Sequence, residues 1–307
     1  MGKNPNEEFI EGEDFDLLDK KYVVPKIQHQ GGSDDWSKVE LPGGGIIEMV
    51  RIQPGKFLMG SENDSWGHPQ NDDNTYDLPR KEAVFKNMFW MSKYVVTNEQ
   101  YKAVMEGMPG TVEKNGNNSN YPVIITNSTF IMGFCQRLNR IFAEQLPQNY
   151  HFNFPTEIQW EYACKAGTDT PFNNGKEIKK GFLGLTDNTK DVLGELGWFG
   201  NTNAWTKGNA DGKLHPVGQK KPNAWGLYDM HGNAHEMTWQ CYDNKSSKRL
   251  TTRVPFIYRG GSYDWFPEGC RSASRNIYVD DSGIRLVLTK KWSASGEVYD
   301  GELPKKD

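Results

Sequence analysis

Residues 152–167 read FNFPTEIQWEYACKAG, and the spacing of their polar and apolar side chains predicts one short helix. Thr156 and Gln159 occupy the N-cap and third positions of a capping box, in which each side chain bonds the backbone amide of the other residue. Trp160 continues an apolar face, and Gly167 suits the C-terminal end because glycine readily adopts a left-handed backbone conformation. We therefore expect a capped helix whose apolar face packs into the core.

Two more helices are predicted upstream of this one. In TNEQYKAVMEG, residues 97–107, Thr97 and Gln100 repeat the capping box. Over residues 128–145, apolar side chains recur at helical spacing, which is typical of a helix with one buried face. We interpret all three apolar faces as core rather than as cofactor contacts.

The predicted strands are short. Residues 46–61, IIEMVRIQPGKFLMGS, alternate apolar and polar side chains on either side of Gln53-Pro54-Gly55, which predicts a hairpin. Two further strand-like runs lie near the end of the chain, at residues 254–258 and 284–289.

The pattern along the chain predicts one domain with two extensions. Residues 1–44 are charged and poor in periodic apolar positions, so they are expected to form a partly ordered N-terminal arm. Residues 45–292 are expected to form the domain, and residues 293–307 a C-terminal tail.

Composition and charge exclude some classes of partner. The 307 residues include 36 basic and 40 acidic side chains spread along the chain, with a net charge of −4, so no basic footprint for nucleic acid is present. No apolar run approaches the roughly 20 residues that span a bilayer, so no direct membrane span is expected. The 32 glycines, 10 tryptophans and 13 tyrosines favour a protein of turns and short strands.

The location of the protein stays open. Its N-terminus lacks the apolar segment of a signal peptide. A cell-surface or extracytoplasmic location is favoured if a signal or lipid anchor has been removed, and a cytoplasmic one otherwise.

Four widely spaced cysteines argue against a zinc site because none forms a Cys-x-x-Cys pair. Cys135 and Cys164 fall in predicted helices and are expected to be buried. Cys241 and Cys270 can form a disulfide only if the fold brings their Cα atoms within about 7 Å.

Seven phrases, in this order, resemble the formylglycine-generating enzyme or sulfatase-modifying factor superfamily: FLMGS, YVVTNEQY, FNFPTEIQWEYACKAG, KPNAWGLYDMHGNAHEMTW, RGGSYDW, CRSASRN and GIRLVL. The resemblance covers roughly residues 45–290. It implies an α+β fold of the C-type lectin type, with little regular secondary structure, mixed helices and twisted antiparallel strands. The superfamily includes copper-dependent oxidases, iron-dependent sulfur enzymes and the variable proteins of diversity-generating retroelements.

The copper site of the oxidases is incomplete in this sequence. The resemblance places their first cysteine three residues after the serine of the Gly-Gly-Ser turn, where this chain has Trp265. Their second cysteine coincides with Cys270 when counted from Ser262, but with a non-catalytic position when counted back from Arg275. At most one thiol remains, and soft copper(I) prefers sulfur ligands.

Two histidines leave further alternatives open. His235 stands where the family usually has tryptophan, and we interpret it either as a catalytic imidazole or, with more weight, as a tolerated polar replacement. His231 and His235 also share the four-residue spacing of an iron site. The intervening Gly-Asn is unfavourable in a helix, so this match is weak.

The resemblance also implies a structural calcium site. Asp229, Gly232, Ala234 and Glu236 match the positions at which family members hold calcium through two carboxylates and two backbone carbonyls. Hard oxygen ligands suit this ion. The alternative is that these are ordinary turn and surface groups, and no cofactor is required for the function that we favour.

The segment between the family's fixed positions near the C-terminus predicts a ligand-binding surface. Its aromatic and polar residues favour recognition and form no catalytic arrangement. They are Tyr263, Asp264, Trp265, Phe266, Ser272, Ser274, Asn276, Tyr278 and Asp280. Trp265 and Phe266 are adjacent, so at least one should lie on the surface, whereas Arg271, Arg275 and Arg285 are expected to be framework residues.

The same segment is compatible with retroelement diversification. Adenine-specific mutation of asparagine codons reaches most of these residue types but not Trp265 or Glu268, which would belong to the invariant frame. A lectin-like loop that is simply rich in such residues explains the pattern equally well.

These observations favour a non-enzymatic, ligand-binding member of the superfamily. Its partner would be an unknown protein or glycan held at the C-terminal surface, and not nucleic acid. The first alternative is an oxidase or related metal-dependent enzyme with an altered site around Cys270. The second is a structural role in an envelope complex.

Overall fold

The computed structural model describes residues 35–61, 80–107, 118–178, 188–200, 208–239, 256–276, 279 and 282–290. The helices are α1 (Asn98–Met105), α2 (Ser128–Ile141), α3 (Glu157–Lys165) and α4 (Thr189–Leu193). The strands are β1 (Lys38–Glu40), β2 (Ile46–Ile52), β3 (Gly55–Met59), β4 (Lys81–Phe85), β5 (Phe89–Ser92), β6 (Tyr150–Asn153), β7 (Glu236–Trp239), β8 (Phe256–Arg259) and β9 (Val287–Lys290).

The main sheet has five antiparallel strands in the order β1-β2-β5-β9-β6. Because β9 comes from the end of the described chain and lies between β5 and β6, the sheet joins the two ends of the domain. Two smaller sheets, β3-β4 and β7-β8, complete the strand pairing within the described ranges. Long-range strand pairing therefore sets the overall architecture.

The edge of the main sheet at β6 is covered by a side chain of α2. The Phe152 N–H donates to Asn139 Oδ1 at 2.7 Å, and Asn139 Nδ2 donates to the Phe152 carbonyl oxygen at 2.8 Å. The amide of Asn139 thus makes the two hydrogen bonds that a neighbouring strand would make at this position.

Both predicted capping boxes are confirmed. The backbone amides of Gln100 and Gln159 donate to the hydroxyls of Thr97 and Thr156, and each glutamine side chain accepts from the amide of its threonine. The third helix is also confirmed, although α2 ends at Ile141 rather than at residue 145. Local signals were sufficient here because a cap is formed by neighbours in sequence.

The hairpin predicted for residues 46–61 is wrong. β2 pairs with β1 and β5, whereas β3 pairs with β4 in a separate sheet. The buried side chains of β2 at Ile47 and Met49 enter one core cluster, whereas Ile52 of β2 and Met59 of β3 share another. Alternation along each strand was interpreted correctly, but alternation does not identify the partner strand.

The two strand-like runs near the C-terminus correspond to β8 and β9, each displaced by two or three residues from its predicted start. At the other end of the domain, Trp36 is fully buried and contacts Phe142 and Phe152 edge to face. The last part of the predicted arm therefore belongs to the folded core, whereas residues 1–34 and the predicted tail lie outside the described residues.

Helix α3 holds two arginines from the C-terminal part of the chain. Arg275 makes two hydrogen bonds to Glu157, with Nε at 2.6 Å from Oε2 and Nη2 at 3.1 Å from Oε1. One turn further along the helix, Glu161 is paired with Arg259 and with Lys165. The two carboxylates and both arginines are almost completely buried.

A third buried pair joins β7 to the segment before β9. Arg285 binds both oxygens of Glu236, with Nη2 at 2.6 Å from Oε1 and Nε at 2.9 Å from Oε2. The same guanidinium donates to the carbonyls of Ser92, Lys93 and Tyr228. The prediction that Arg275 and Arg285 are framework residues is confirmed, and Arg271 likewise donates to the carbonyl of Glu268.

In the part of the chain that the structure describes, no helix combines the length and the apolar character required to cross a bilayer.

Replacing Arg285 tests how much the buried ion pairs contribute to the stability of the fold. We expect Arg285→Met to lower the free energy of unfolding by about 3–5 kcal/mol, because it leaves the Glu236 carboxylate buried without its cation. Urea denaturation measures the change. Lys56→Met is the matched control: it breaks the exposed pair between Lys56 and Glu82, and should change stability by less than about 1 kcal/mol. Equal losses for the two variants would contradict the framework role.

Candidate binding surface

The turn after β8 is built on two glycines in the left-handed region. Gly260 has φ +84° and Gly261 has φ +71°. A Cβ atom on Gly261 would lie 2.5 Å from Cys270 Sγ, so glycine is required by close packing as well as by conformation. The turn folds residues 262–266 back over the short 3₁₀ helix Pro267–Cys270.

Four residues after this turn form what we name the outer surface: Tyr263, Asp264, Trp265 and Phe266. Asp264 is exposed, Phe266 is 51% exposed, and Tyr263 and Trp265 are half-buried. The prediction that at least one of the two adjacent aromatic residues lies on the surface is therefore confirmed by Phe266.

The outer surface is held in place from below. The Trp265 carbonyl oxygen accepts a hydrogen bond from Gly200 N at 2.8 Å. The indole ring of Trp265 packs against Gly269, where an added Cβ atom would lie 2.0 Å from Trp265 Cδ1. The Ser262 hydroxyl donates to Asp264 Oδ1 at 2.6 Å. Tyr263 packs against the small apolar cluster of Ile124, Leu214 and Ala234. These contacts fix the rings of Tyr263 and Trp265 and the carboxylate of Asp264.

The structure separates the other predicted binding residues from this surface. Ser272, Ser274 and Asn276 are at most 1% exposed, and therefore lie in the interior. The reason is that the chain pairs with β8 after Cys270, where Asn276 and Tyr258 exchange two backbone hydrogen bonds of 2.8 and 2.9 Å. Tyr278 and Asp280 lie outside the described residues.

His235 lies beneath Trp265, with 5.2 Å between the ring centroids in an edge-to-face arrangement. Its side chain is buried, and within the described ranges neither ring nitrogen has a hydrogen-bond partner. Burial lowers the pKa of His235 to about 4, although the charge of Asp264 acts in the opposite direction. The imidazole is therefore neutral at pH 7. The sequence singled out His235 as a departure from the family pattern and as one of two histidines with the spacing of an iron site, but not as a neighbour of Trp265.

The cysteines are packed as core residues. Cys270 is fully buried among the apolar side chains of Phe172, Leu193 and Phe199, and burial raises the pKa of its thiol. Cys135 is also buried, and Cys164 has a pKa raised to about 12 by burial. The predicted burial of these two helical cysteines is confirmed. Cys241, with which Cys270 could pair only if their Cα atoms were close, lies outside the described residues, and Cys270 is a free thiol.

His231 does not activate the nearby thiol. Cys164 Sγ is 3.8 Å from His231 Nε2, but that nitrogen accepts from Asn173 N at 3.2 Å. The other ring nitrogen is 2.7 Å from the Cys270 carbonyl oxygen, which fixes it as the donor. Burial lowers the pKa of His231 to about 4, so the imidazole is a neutral structural group.

The two histidines of the proposed iron motif have different environments and lie outside any helix: His231 is in a bend, and His235 directly precedes β7. His231 bonds the backbone, whereas His235 lies below Trp265. Among the residues that the structure describes, no group of three His, Cys, Asp or Glu side chains is arranged to hold a metal ion.

The residues predicted to bind calcium fit that ion only in part. Asp229 is buried with φ +58°, and its Oδ2 accepts from Gly218 N, while Oδ1 has no partner within the described ranges. Burial raises the pKa of Asp229 to about 6. Glu236, in contrast, is occupied at both oxygens by Arg285, and Trp160 Nε1 donates to Oε2 at 2.6 Å.

Asp229 thus has an oxygen free for a cation, whereas Glu236 could become a ligand only by giving up its arginine. The carbonyl of Gly232 accepts from Ala234 N at 3.0 Å, which is compatible with additional coordination because a carbonyl has two lone pairs. The calcium site therefore stays a prediction that depends chiefly on Asp229.

A family model described as the sulfatase-modifying factor enzyme 1-like domain matches residues 44–290, which is most of the chain. The chain belongs to this family. The resemblance stated from the seven sequence phrases is therefore confirmed.

Three curated relatives match this chain over shorter stretches than the family model does. A chaperone protein LppX of Paenibacillus barcinonensis is 29% identical over 45% of this chain and 50% of its own length. The formylglycine-generating enzyme of Mycobacterium tuberculosis is 27% identical over 43% of this chain and 48% of its own, and that of Bos taurus is 28% identical over 42% and 35%. The chain thus matches half or less of the length of these relatives.

Solved structures establish the fold. Treponema denticola variable protein 1 superposes with a TM-score of 0.59 at 21% identity, covering 81% of this chain and 97% of its own. PvdO from Pseudomonas aeruginosa gives 0.58 at 20% identity, covering 79% and 94%. The predicted α+β fold of the C-type lectin type, with few helices and curled antiparallel sheets, is confirmed.

Burial of the thiols predicts that they are unreactive in the folded protein. In a Cys241→Ser variant, Ellman's reagent should leave the native chain unmodified for many minutes and should titrate three thiols after unfolding in guanidinium chloride. One thiol that reacts rapidly in the native state, and is lost in Cys270→Ala, would instead indicate a thiolate at the altered oxidase position.

Calcium binding through Asp229 predicts a stabilising effect of the ion. At a calcium concentration 100-fold above the dissociation constant, the parent chain should gain about 3 kcal/mol and melt at a higher temperature. Asp229→Asn should abolish the gain, while Asp191→Asn, which alters an exposed carboxylate, should retain it. Scanning calorimetry with calcium and with EDTA measures both. Identical melting of the parent in the two buffers would exclude the site.

Proposed function

We propose that this family member is a non-enzymatic, ligand-binding protein whose outer surface holds the ligand. The observation that carries the proposal is the exposed aromatic side chain of Phe266 beside Trp265, a ring fixed by Gly269 and by a backbone hydrogen bond. Rigid aromatic groups contribute contact area with little loss of conformational entropy on binding. Asp264 supplies a fixed acceptor at their side.

The position and environment of Cys270 support a ligand-binding function over an oxidase activity. Trp265 occupies the position of the first oxidase cysteine, and Cys270 Sγ lies in an apolar cluster instead of facing the outer surface. A buried thiol with a raised pKa supplies little of the thiolate that copper(I) binding requires.

An oxidase with an altered site is the second candidate, because two curated relatives are named formylglycine-generating enzymes. Those relatives are matched over less than half of their length. Their activity is therefore transferred to this chain only as an alternative to be tested.

Copper(I) titration separates the two candidates. With a chromophoric chelator as competitor, we expect the parent chain and Cys270→Ala to compete equally weakly, and neither to consume oxygen in the presence of a cysteine-containing peptide. Tight copper(I) binding that is lost in Cys270→Ala, together with oxygen consumption, would establish the enzyme instead.

Removing the exposed ring tests the binding surface directly. Ligands are first selected for the parent chain from a displayed random-peptide library and a glycan microarray. Phe266→Ala should weaken binding of the selected ligands at least tenfold, since central aromatic anchors dominate interfaces. Leu58→Ala is the matched control, because Leu58 is a comparably exposed apolar residue on β3. Equal binding by both variants would contradict the proposal.

The proposal has a more specific part, which is that a retroelement diversifies the residues of the outer surface. The fold shared with a structure titled variable protein is compatible with it, and the DNA beside the gene tests it. A near-copy of the segment that encodes residues 260–288, differing only at adenines and next to a reverse transcriptase, would support diversification. Its absence would leave a binding domain with a constant surface.

A further inference from the structure

One buried asparagine is bonded directly to the outer surface. Asn233 is 0% exposed and has φ +67°, a left-handed conformation that asparagine adopts more readily than most residues other than glycine. Its backbone N–H donates to the Trp198 carbonyl oxygen at 2.7 Å, and its own carbonyl oxygen accepts from Tyr263 N at 3.0 Å. Tyr263 is the first residue of the outer surface, so Asn233 connects that surface to the segment around Trp198.

The side chain of Asn233 extends this connection to another segment. Its Oδ1 accepts from His215 N at 3.0 Å, and its Nδ2 donates to the His215 carbonyl oxygen at 3.1 Å. The amide thus bonds both backbone groups of one residue, as the amide of Asn139 does at Phe152. Four hydrogen bonds therefore join Asn233 to three other segments of the chain.

Residues 232 and 233 also support the glycine turn on both sides. Gly232 N donates to the carbonyl oxygen of Gly260 at 2.6 Å, at the start of the turn, and Asn233 accepts from Tyr263 N at its end. An added Cβ atom on Gly232 would lie 2.0 Å from the Trp198 carbonyl oxygen, so this support is closely packed against its neighbour. The turn therefore begins and ends on the same two residues.

The segment that contains Trp198 bonds the other part of the outer surface. Gly200 N donates to the Trp265 carbonyl oxygen at 2.8 Å. An added Cβ atom on Gly200 would lie 2.6 Å from the backbone carbonyl carbon and oxygen of Asp264. The outer surface is thus held at Tyr263 by Asn233, and at Trp265 by a segment that Asn233 also bonds.

These hydrogen bonds reach only main-chain atoms of the outer surface. They fix the path of the main chain, and with it the relative positions of the exposed Phe266 ring and the Asp264 carboxylate. A surface that is already in its binding arrangement loses less conformational entropy when a ligand binds. The support beneath the surface should therefore affect affinity without contacting the ligand.

We propose that Asn233 is a positioning residue for the outer surface. Together with the segment 198–200, it holds the main chain of residues 263–265 in one arrangement, and loss of its side chain lowers ligand affinity. Asn233 itself is too deeply buried to contact a ligand. The inference rests on the proposed binding function, to which it adds the residue that sets the geometry of the surface.

Two variants remove the same kind of contact from different parts of the fold. Asn233→Gly deletes the two bonds to His215, and glycine adopts a positive φ without strain. Asn139→Ala is the matched control, because it deletes the two bonds to Phe152 on β6. Both variants should lower the melting temperature by a few degrees, since each loses two hydrogen bonds.

Hydrogen exchange followed by mass spectrometry gives a local readout that needs no ligand. In Asn233→Gly, peptides covering residues 262–266 should exchange about tenfold faster than in the parent, because the partner of the Tyr263 amide is less firmly held. In Asn139→Ala, the same peptides should exchange as in the parent. Unchanged exchange in Asn233→Gly, or equal acceleration in both variants, would overturn the proposal.

A second pair of variants tests the same support without altering Asn233, and decides the question if Asn233→Gly does not fold. Gly200→Ala places a Cβ atom against the main chain of Asp264, so it should accelerate exchange at residues 262–266. Gly133→Ala on α2 is its control, because an added Cβ atom there lies 3.7 Å from Met105 Cε, an ordinary contact. Equal exchange in these two variants would contradict the proposal.

Binding measurements separate the positioning role from the proposed function. Asn233→Gly should weaken the ligands selected for the parent chain about tenfold, whereas Asn139→Ala should leave their binding unchanged. If Phe266→Ala weakens binding and Asn233→Gly does not, the positioning role is overturned and the proposed function stands. If Phe266→Ala has no effect on any selected ligand, while Asn233→Gly still accelerates exchange only at residues 262–266, the proposed function falls and the positioning of the main chain stands.

Discussion

The fold depends on buried pairing between glutamates and arginines that come from distant parts of the chain. Burial alone would raise the pKa of Glu161, yet Lys165 and Arg259 hold it below its usual value. Each ion must be desolvated, so such pairs contribute less net stability than their short distances suggest. Their contribution is specificity: any packing that separates an arginine from its carboxylate leaves a charge in the interior.

The same pairs explain how a domain with so little regular structure presents a fixed surface. Arg259 and Arg275 stand at the two ends of the turn region, and both are held by α3 through carboxylates one helical turn apart. The segment between them is therefore restrained at both ends by a single rigid element. Its outward side chains make few of these framework contacts, so the ends of the segment and its exposed middle are under different physical constraints.

Sequence patterns located the three longest helices and the framework arginines, but neither the short helix α4 nor the relations between strands. The capping boxes at Thr97 and Thr156 are local, so they could be identified without knowledge of the fold. The alternation on both sides of Pro54 identified two strands but assigned them the wrong partner, because alternation marks the buried face of a strand and not the strand with which it pairs.

In the candidate site, too, the sequence predicts local features but not those that depend on strand pairing and packing. The sequence predicted that at least one of Trp265 and Phe266 lies on the surface, since adjacent residues of an extended segment point in opposite directions, but only the structure shows that it is Phe266. The burial of Ser274 and Asn276 depends on pairing with β8, and the unpaired imidazole of His235 depends on what surrounds it. No spacing within the sequence encodes either relation.

The amide of Asn139 at the edge of β6 has a further consequence. By bonding both backbone groups of Phe152, it terminates the main sheet with a side chain where otherwise another strand could join. An open sheet edge allows a second copy of a chain to add its own strand, so a covered edge opposes association at this position. One asparagine on α2 therefore opposes aggregation through this edge, a role that its position in the middle of a helix does not suggest.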